Sequence, residues 1–317
     1  MQNKNCLNGE SLCRVDINII NIDESQRHQM LSDAPDPHST SVSPDGKYFL
    51  YVSPWNGERH IFLVEIESGN GFQLTHDTNM TIESPVWSPD SKNIVFSMEP
   101  VRSGNTTHRS GLSEIFVINV DGSILTKLTD NSSSDVAPKW SPDGRHIAFI
   151  SDRDGNDELY LMNVDGSQQR RLTYDQSVAQ LVDWSPKSQV ILFTGYRSGK
   201  STIFTLDITN GDQRALTNGM YDSYLPSWSP DGSKIVFTSR QAEHSQIFAI
   251  NADGSEQKAL SDAQTLDFRE PSWSPNGEYV AFTTIQNGIT ELYVVQSDGV
   301  NLRRLPTGGI RFYLWFT

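Results

Sequence analysis

At 317 residues, with a formal net charge of −14 and a pI near 4.8, the chain is a poor match for phosphate backbones and anionic lipid, which excludes nucleic acid as a partner class. A hydrophobic fraction of 36% and a mean hydropathy of −0.47 fit a soluble body whose apolar side chains are spread between thin layers. No run approaches the roughly 18 apolar residues of a membrane span, so membrane insertion is not expected.

Residues 1–14 read as an N-terminal tail. Met1-Gln2-Asn3-Lys4-Asn5 leads into no apolar leader core, so the expected chain is a mature form in the periplasm or outside the cell, with the cytoplasm as the alternative. Cys6 and Cys13 are the two cysteines; a local disulfide and a pair of free thiols both remain open.

From residue 39 onward the chain repeats. Val42-Ser43-Pro44-Asp45-Gly46 is followed by Trp87-Ser88-Pro89-Asp90-Ser91, Trp140-Ser141-Pro142-Asp143-Gly144, Trp184-Ser185-Pro186-Lys187-Ser188, Trp228-Ser229-Pro230-Asp231-Gly232 and Trp273-Ser274-Pro275-Asn276-Gly277. The serines are 45, 53, 44, 44 and 45 residues apart, the period of a four-stranded propeller blade. Proline sets its own φ, aspartate suits a turn and glycine supplies positive φ, so each pentapeptide joins two strands. The strands that follow, such as Ile147-Ala148-Phe149-Ile150 and Ile235-Val236-Phe237-Thr238, are β-branched and aromatic. The tryptophan ahead of each turn reads as a core wedge between stacked sheets.

About 20 residues further on, each repeat carries a second pattern, as in Glu158 to Gly166 followed by Leu172-Thr173. This is strand, turn, strand, and gives four strands A to D per repeat. Asp16 to Asp23 matches the third strand and Leu31-Ser32-Asp33 the fourth, so the N-terminus holds half a repeat; the apolar stretch 310–317 is a candidate for its missing half. The expected fold is therefore an all-β propeller of four-stranded antiparallel blades in a single domain over 15–317. Repeats start near 39, 84, 137, 181, 225 and 270, and a composite closing blade is drawn from 15–33 plus 310–317. That count favours seven blades, with six as the alternative.

Three stretches are candidates for chemistry. The 53-residue step contains an insertion, Met98 to Gly111, whose Arg102, His108 and Arg109 form the only basic cluster seen in the sequence. An anion site competes there with an uninvolved loop, which its Gly, Ser and Thr content favours. Asp152-Arg153-Asp154-Gly155-Asn156-Asp157-Glu158 has the alternating oxygens of a Ca²⁺ loop, but its glycine is misplaced for an EF-hand, and a hairpin turn accounts for it without an ion. Otherwise no cofactor is expected. There is no Gly-x-Ser-x-Gly elbow and no His-Glu-x-x-His, so no catalytic residues are assigned and an enzyme is not expected.

Trp-Ser-Pro-Asp-Gly, a Glu-Ile/Leu-Tyr/Phe strand, Asn-x-Asp-Gly and Leu-Thr together resemble the TolB-like (PD40, WD40-like) propeller repeat, over about 285 residues. Antiparallel order puts the A–B and C–D turns at one end of each blade and the variable B–C hairpins and D–A connections at the other. The D–A segments are expected to bring His38, Glu83, Asp135, Gln180, Asp183, Asp222, Tyr224, Arg269 and Glu270 to a channel mouth. The resemblance implies that such a mouth receives partner proteins or short peptides. The expected function is a non-catalytic, monomeric binding scaffold. The alternative is an accessory or substrate-gating propeller of a hydrolase or lyase whose catalytic part lies elsewhere. Related lyases hold a metal on axial histidines, for which only His38 qualifies here.

Overall fold

The computed structural model describes residues 3–4, 14–20, 27–35, 37–55, 58–76, 80–100, 113–174, 182–241, 244–261, 266–286, 289–306 and 315. Among these, strands and the turns between them account for all regular structure, and there is no helix. The chain divides into two compact units, Met1–Thr173 and Tyr174–Trp315.

The first unit contains a three-stranded sheet, Asn3–Lys4, Arg14–Ile20 and Arg27–Pro35, and three four-stranded antiparallel blades spanning 38–73, 80–127 and 135–171. The second unit contains three more, spanning 182–215, 222–259 and 268–305. Six four-stranded blades is the smaller of the two expected numbers. The two N-terminal strands are present near their expected places, but they pair with each other and with Asn3–Lys4. Of 310–317 only Trp315 is described, so the C-terminal half of the expected composite closing blade lies outside the described residues. Trp315 donates its indole N–H to the carbonyl of Ser272 at 3.1 Å and packs on Leu292, Val294 and Leu305 of blade six.

The second strand of each blade is apolar on both faces, as expected of a strand covered on both sides. Ile147 to Ser151 and Ile235 to Ser239 are continuously buried. A fully buried phenylalanine sits mid-strand in five blades, at Phe96, Phe149, Phe193, Phe237 and Phe282. Each faces an aromatic ring on the third strand, with centroids 5.4–6.2 Å apart. Within each unit the tryptophans act as the expected wedges. Trp87 packs on Leu50, Leu63 and Leu74 of blade one, Trp228 on Leu192, Ile203 and Leu216 of blade four, and Trp273 on Val236, Ile247 and Leu260 of blade five.

The turns follow one hydrogen-bond formula. In Ser43-Pro44-Asp45-Gly46 the serine hydroxyl donates to Asp45 at 2.7 Å and accepts the Tyr48 N–H at 2.9 Å, while Gly46 N–H closes onto the Ser43 carbonyl at 2.8 Å. Blades two, three, five and six repeat it at Ser88, Ser141, Ser229 and Ser274. The Leu-Thr signature is equally specific. Thr75, Thr129, Thr173, Thr217 and Ser261 use their hydroxyls to accept the backbone N–H of the residue 14 positions earlier, on the third strand. The glycine of the C–D turn allows one blade to approach the previous one. At Gly166 φ is +82°, and a β-carbon would stand 2.7 Å from the Leu128 carbonyl oxygen.

Candidate functional site at the hairpin ends of the blades

The first strand of a blade does not run straight. In five blades its pairing with the second strand slips, between His38 and Ser41, Glu83 and Val86, Val136 and Lys139, Tyr224 and Ser227, and Arg269 and Ser272. Each slip contains a non-glycine residue at positive φ, four positions before the turn serine: Ser39 (44°), Ser84 (52°), Ala137 (52°), Leu225 (54°) and Glu270 (56°). Such bulges re-aim neighbouring side chains and are frequent beside functional sites. Most of the residues expected at the site lie at or just ahead of these bulges.

In the first unit, His38 is exposed and stands opposite Val52. Glu83 is half-exposed and ion-paired with Arg59 of the preceding blade's hairpin. Asp135 differs: it has no exposed surface. Its carboxylate accepts both Arg153 (3.0 and 3.1 Å) and the Asn131 amide (2.7 Å), and its N–H binds the Ser113 carbonyl at 2.7 Å. Arg153 also lies over the Tyr160 ring, 4.7 Å from its centroid.

In the second unit, Gln180 lies outside the described residues. Asp183 accepts the backbone N–H of Trp184 at 3.0 Å and of Trp228, in the next blade, at 3.3 Å, which ties two blades together. Asp222 accepts Ser201 N–H and pairs with Lys200, both at 3.0 Å. The Ser201 N–H bond is the main reason its carboxyl is held below the ordinary range. Tyr224 shares a hydroxyl hydrogen bond of 2.9 Å with Ser245. Arg269 is exposed and opposite Thr283, and Glu270 is within 3.4 Å of the Thr283 hydroxyl. Among the eight described positions, Asp135 and Asp183 serve the blades themselves, while His38, Glu83 and Arg269 reach solvent.

The stretch 152–158 uses its oxygens internally. Asp152 accepts Ser134 N–H at 2.7 Å, Asp154 accepts the Tyr160 hydroxyl and Arg171, and Glu158 accepts Thr173, Arg171 and Asn156. Its bond to Asp154, together with burial as the leading cause, pushes the Tyr160 hydroxyl well above its ordinary value. Among the described residues no group of three or more His, Cys, Asp or Glu side chains is placed to hold a metal ion. The basic insertion around Arg102, His108 and Arg109, like Cys6 and Cys13, lies outside the described residues.

A basic group that the sequence did not show is present in the second unit. Arg197, Lys200 and Arg240 are exposed at the hairpin ends of blades four and five. They are up to 43 positions apart in sequence, and only strand register brings them to the same end. Large apolar side chains are exposed nearby, Tyr196, Met220 and Tyr221, and others stand at hairpin ends or connections elsewhere: Trp55, Tyr174, Ile285 and Ile289.

Repeated four-stranded antiparallel blades, latched by a recurring turn at one end and carrying dissimilar side chains at the other, define a β-propeller. The family model for the TolB beta propeller domain, PD40, matches residues 10–266 and 182–315, and the chain belongs to that family. It is 29% identical over 133 residues to a TolB homolog of Chlorobium chlorochromatii, which is 41% of this chain and 27% of that protein. Among solved structures, TolB from Acinetobacter baumannii superposes with a TM-score of 0.59 at 25% identity, covering 76% of this chain and 58% of the other. An oligogalacturonate lyase in complex with manganese superposes with a TM-score of 0.74 at 16% identity, over 92% of this chain and 83% of the lyase, a likeness of fold alone. The chain spans about a third or less of the length of the curated relatives it matches.

Proposed function

We propose that this chain is a binding scaffold, placed in the periplasm or outside the cell, that takes a protein or peptide partner on the B–C hairpins and D–A connections of its blades. One contrast carries the reading. At the turn end of five blades, the serine hydroxyl donates to the turn's Asp or Asn side chain and accepts a backbone N–H of the same turn. At the hairpin ends, His38, Glu83 and Arg269 reach solvent, and large apolar side chains are exposed at hairpin ends or connections in each unit. Exposed aromatic and arginine side chains on rigid supports are the residue types that dominate protein interfaces. Membership of the TolB family supports the same reading.

The test is a pull-down with immobilised wild type, with Glu83→Ala and Arg269→Ala at the hairpin end, and with Lys92→Glu and Arg145→Glu at the turn end. Retained proteins should be lost with the first pair and kept with the second. Equal retention by all four variants would remove the hairpin end as the site. A hydrolase or lyase retained in the same hairpin-dependent way would make the chain its accessory propeller.

A further inference from the structure

Three segments of the second unit meet at the hairpin ends of blades four and five. Strands Val190–Arg197 and Lys200–Asp207 form a hairpin whose end exposes Tyr196, Arg197 and Lys200. The connection that leaves blade four returns against this hairpin. Asp222 fastens it through Ser201 N–H and Lys200, and a β-carbon on Gly219 would stand 3.5 Å from the Arg197 carbonyl oxygen. Across the ladder, Asp222 stands opposite Arg240. Lys200 and Arg240 thus flank one carboxylate, and Arg197 stands opposite Lys200 in the hairpin, in a chain of net charge −14. Among the described residues Arg197 and Arg240 form no salt bridge, whereas Lys200 is the partner of Asp222. On the same hairpin and connection, large apolar side chains are exposed: Met220, 65%, Tyr196, 47%, and Tyr221, 40%.

We propose that this patch docks an acidic, apolar peptide segment of a partner protein, one in which Asp or Glu alternates with aliphatic side chains. The inference rests on the hairpin end being the binding side, and it names the partner's chemistry. Charge sets the choice: two guanidinium groups that form no salt bridge offer forked donors to carboxylates, and among the described residues of the patch Arg197, Lys200 and Arg240 outnumber Asp222. The apolar side chains favour a peptide over an anionic polysaccharide. A flexible thioether at Met220 adapts to aliphatic groups, and tyrosine rings bury contact area at low entropic cost.

Fluorescence anisotropy tests it, with a short fluorescein-labelled peptide alternating glutamate and leucine, its lysine-leucine counterpart, and alginate as competitor. The wild-type chain should bind the glutamate peptide and not the lysine peptide, more weakly as salt rises. Arg197→Glu with Arg240→Glu should weaken binding by about tenfold or more, and Met220→Ser with Tyr221→Ser by several-fold. All four side chains are exposed, and an unchanged melting temperature confirms that the variants fold. No binding of the glutamate peptide, or equal binding by the variants, overturns the proposal. So does displacement by alginate with no effect of Met220→Ser and Tyr221→Ser, the signature of a polysaccharide site. In the pull-down above, partner loss with Glu83→Ala and Arg269→Ala but not with the arginine reversals would leave the binding side standing and remove the patch.

Discussion

At the scale of single residues, the repeat is a statement about hydrogen bonds. The turn aspartates are acidic because a carboxylate at that position accepts the serine hydroxyl. At Asp231 the Ser229 hydroxyl, aided by Ser233, brings the carboxyl from an ordinary 3.8 to about 2. Blade four shows what happens without it: Lys187 replaces the aspartate, and the Val190 N–H to Ser185 contact lengthens to 3.3 Å from the 2.9 Å found elsewhere. A depressed carboxyl pKa stabilises the fold above the unfolded value, and that contribution is lost as pH falls through the folded value. Stability should therefore fall between about pH 4 and 2, as more of the turn carboxylates take up protons. Exposure of these side chains keeps each contribution small. Asp231→Asn, which copies the natural Asn276 turn, should flatten the profile in that window; urea midpoints from pH 5 to 2 check it. An unchanged slope would mean that the Ser229 bond does not govern this titration.

At the scale of elements, blade three shows how a strand start can be mistaken for a binding position. Asp135 stands two positions before its blade's positive-φ residue, Ala137, where other blades bury Ile82, Ser223 and Phe268, whereas Glu83 stands one position before Ser84 and so faces the other side of its strand. In that buried place Asp135 is met by Arg153 of its own blade's hairpin, which lies over Tyr160. Removing one partner of a buried pair leaves the other charge uncompensated. Asp135→Ala should cost about 3 kcal/mol, and the double variant Asp135→Leu with Arg153→Met distinctly less. Urea unfolding of both decides it: a double variant as unstable as the single one would show that packing, not charge, holds this hairpin. The same comparison shows what was legible in the sequence. Four strands per blade and the turn positions could be read because each depends on residues a few positions apart and recurs six times, and the tryptophan wedge because it recurs five times. The partner of Asp135 is a guanidinium 18 positions away, and the group of Arg197, Lys200 and Arg240 depends on register between two hairpins. The positive-φ residues, from Ser39 to Glu270, share a position but no side-chain chemistry, so no residue pattern marks them.

At the scale of the whole molecule, the net charge of −14 reads differently once the acids are located. Many aspartates belong to turns: Asp45, Asp90, Asp143 and Asp231 in the A–B set, and Asp121, Asp165, Asp207, Asp253 and Asp298 in the C–D set, where each accepts a backbone N–H two residues on. These carboxylates serve the fold, so part of the chain's acidity has a conformational origin. What remains for recognition is the hairpin end, where exposed arginine, glutamate, tyrosine and methionine side chains stand on strands held by buried aromatic pairs. Hydrogen exchange measured with and without the retained partner tests that division most directly. The account predicts added protection at the hairpins and connections, among them Tyr196 to Ser201 and Gly219 to Asp222, with the Ser-Pro-Asp-Gly turns unchanged. Protection confined to the turns, with the hairpins exchanging as in the free chain, would contradict it.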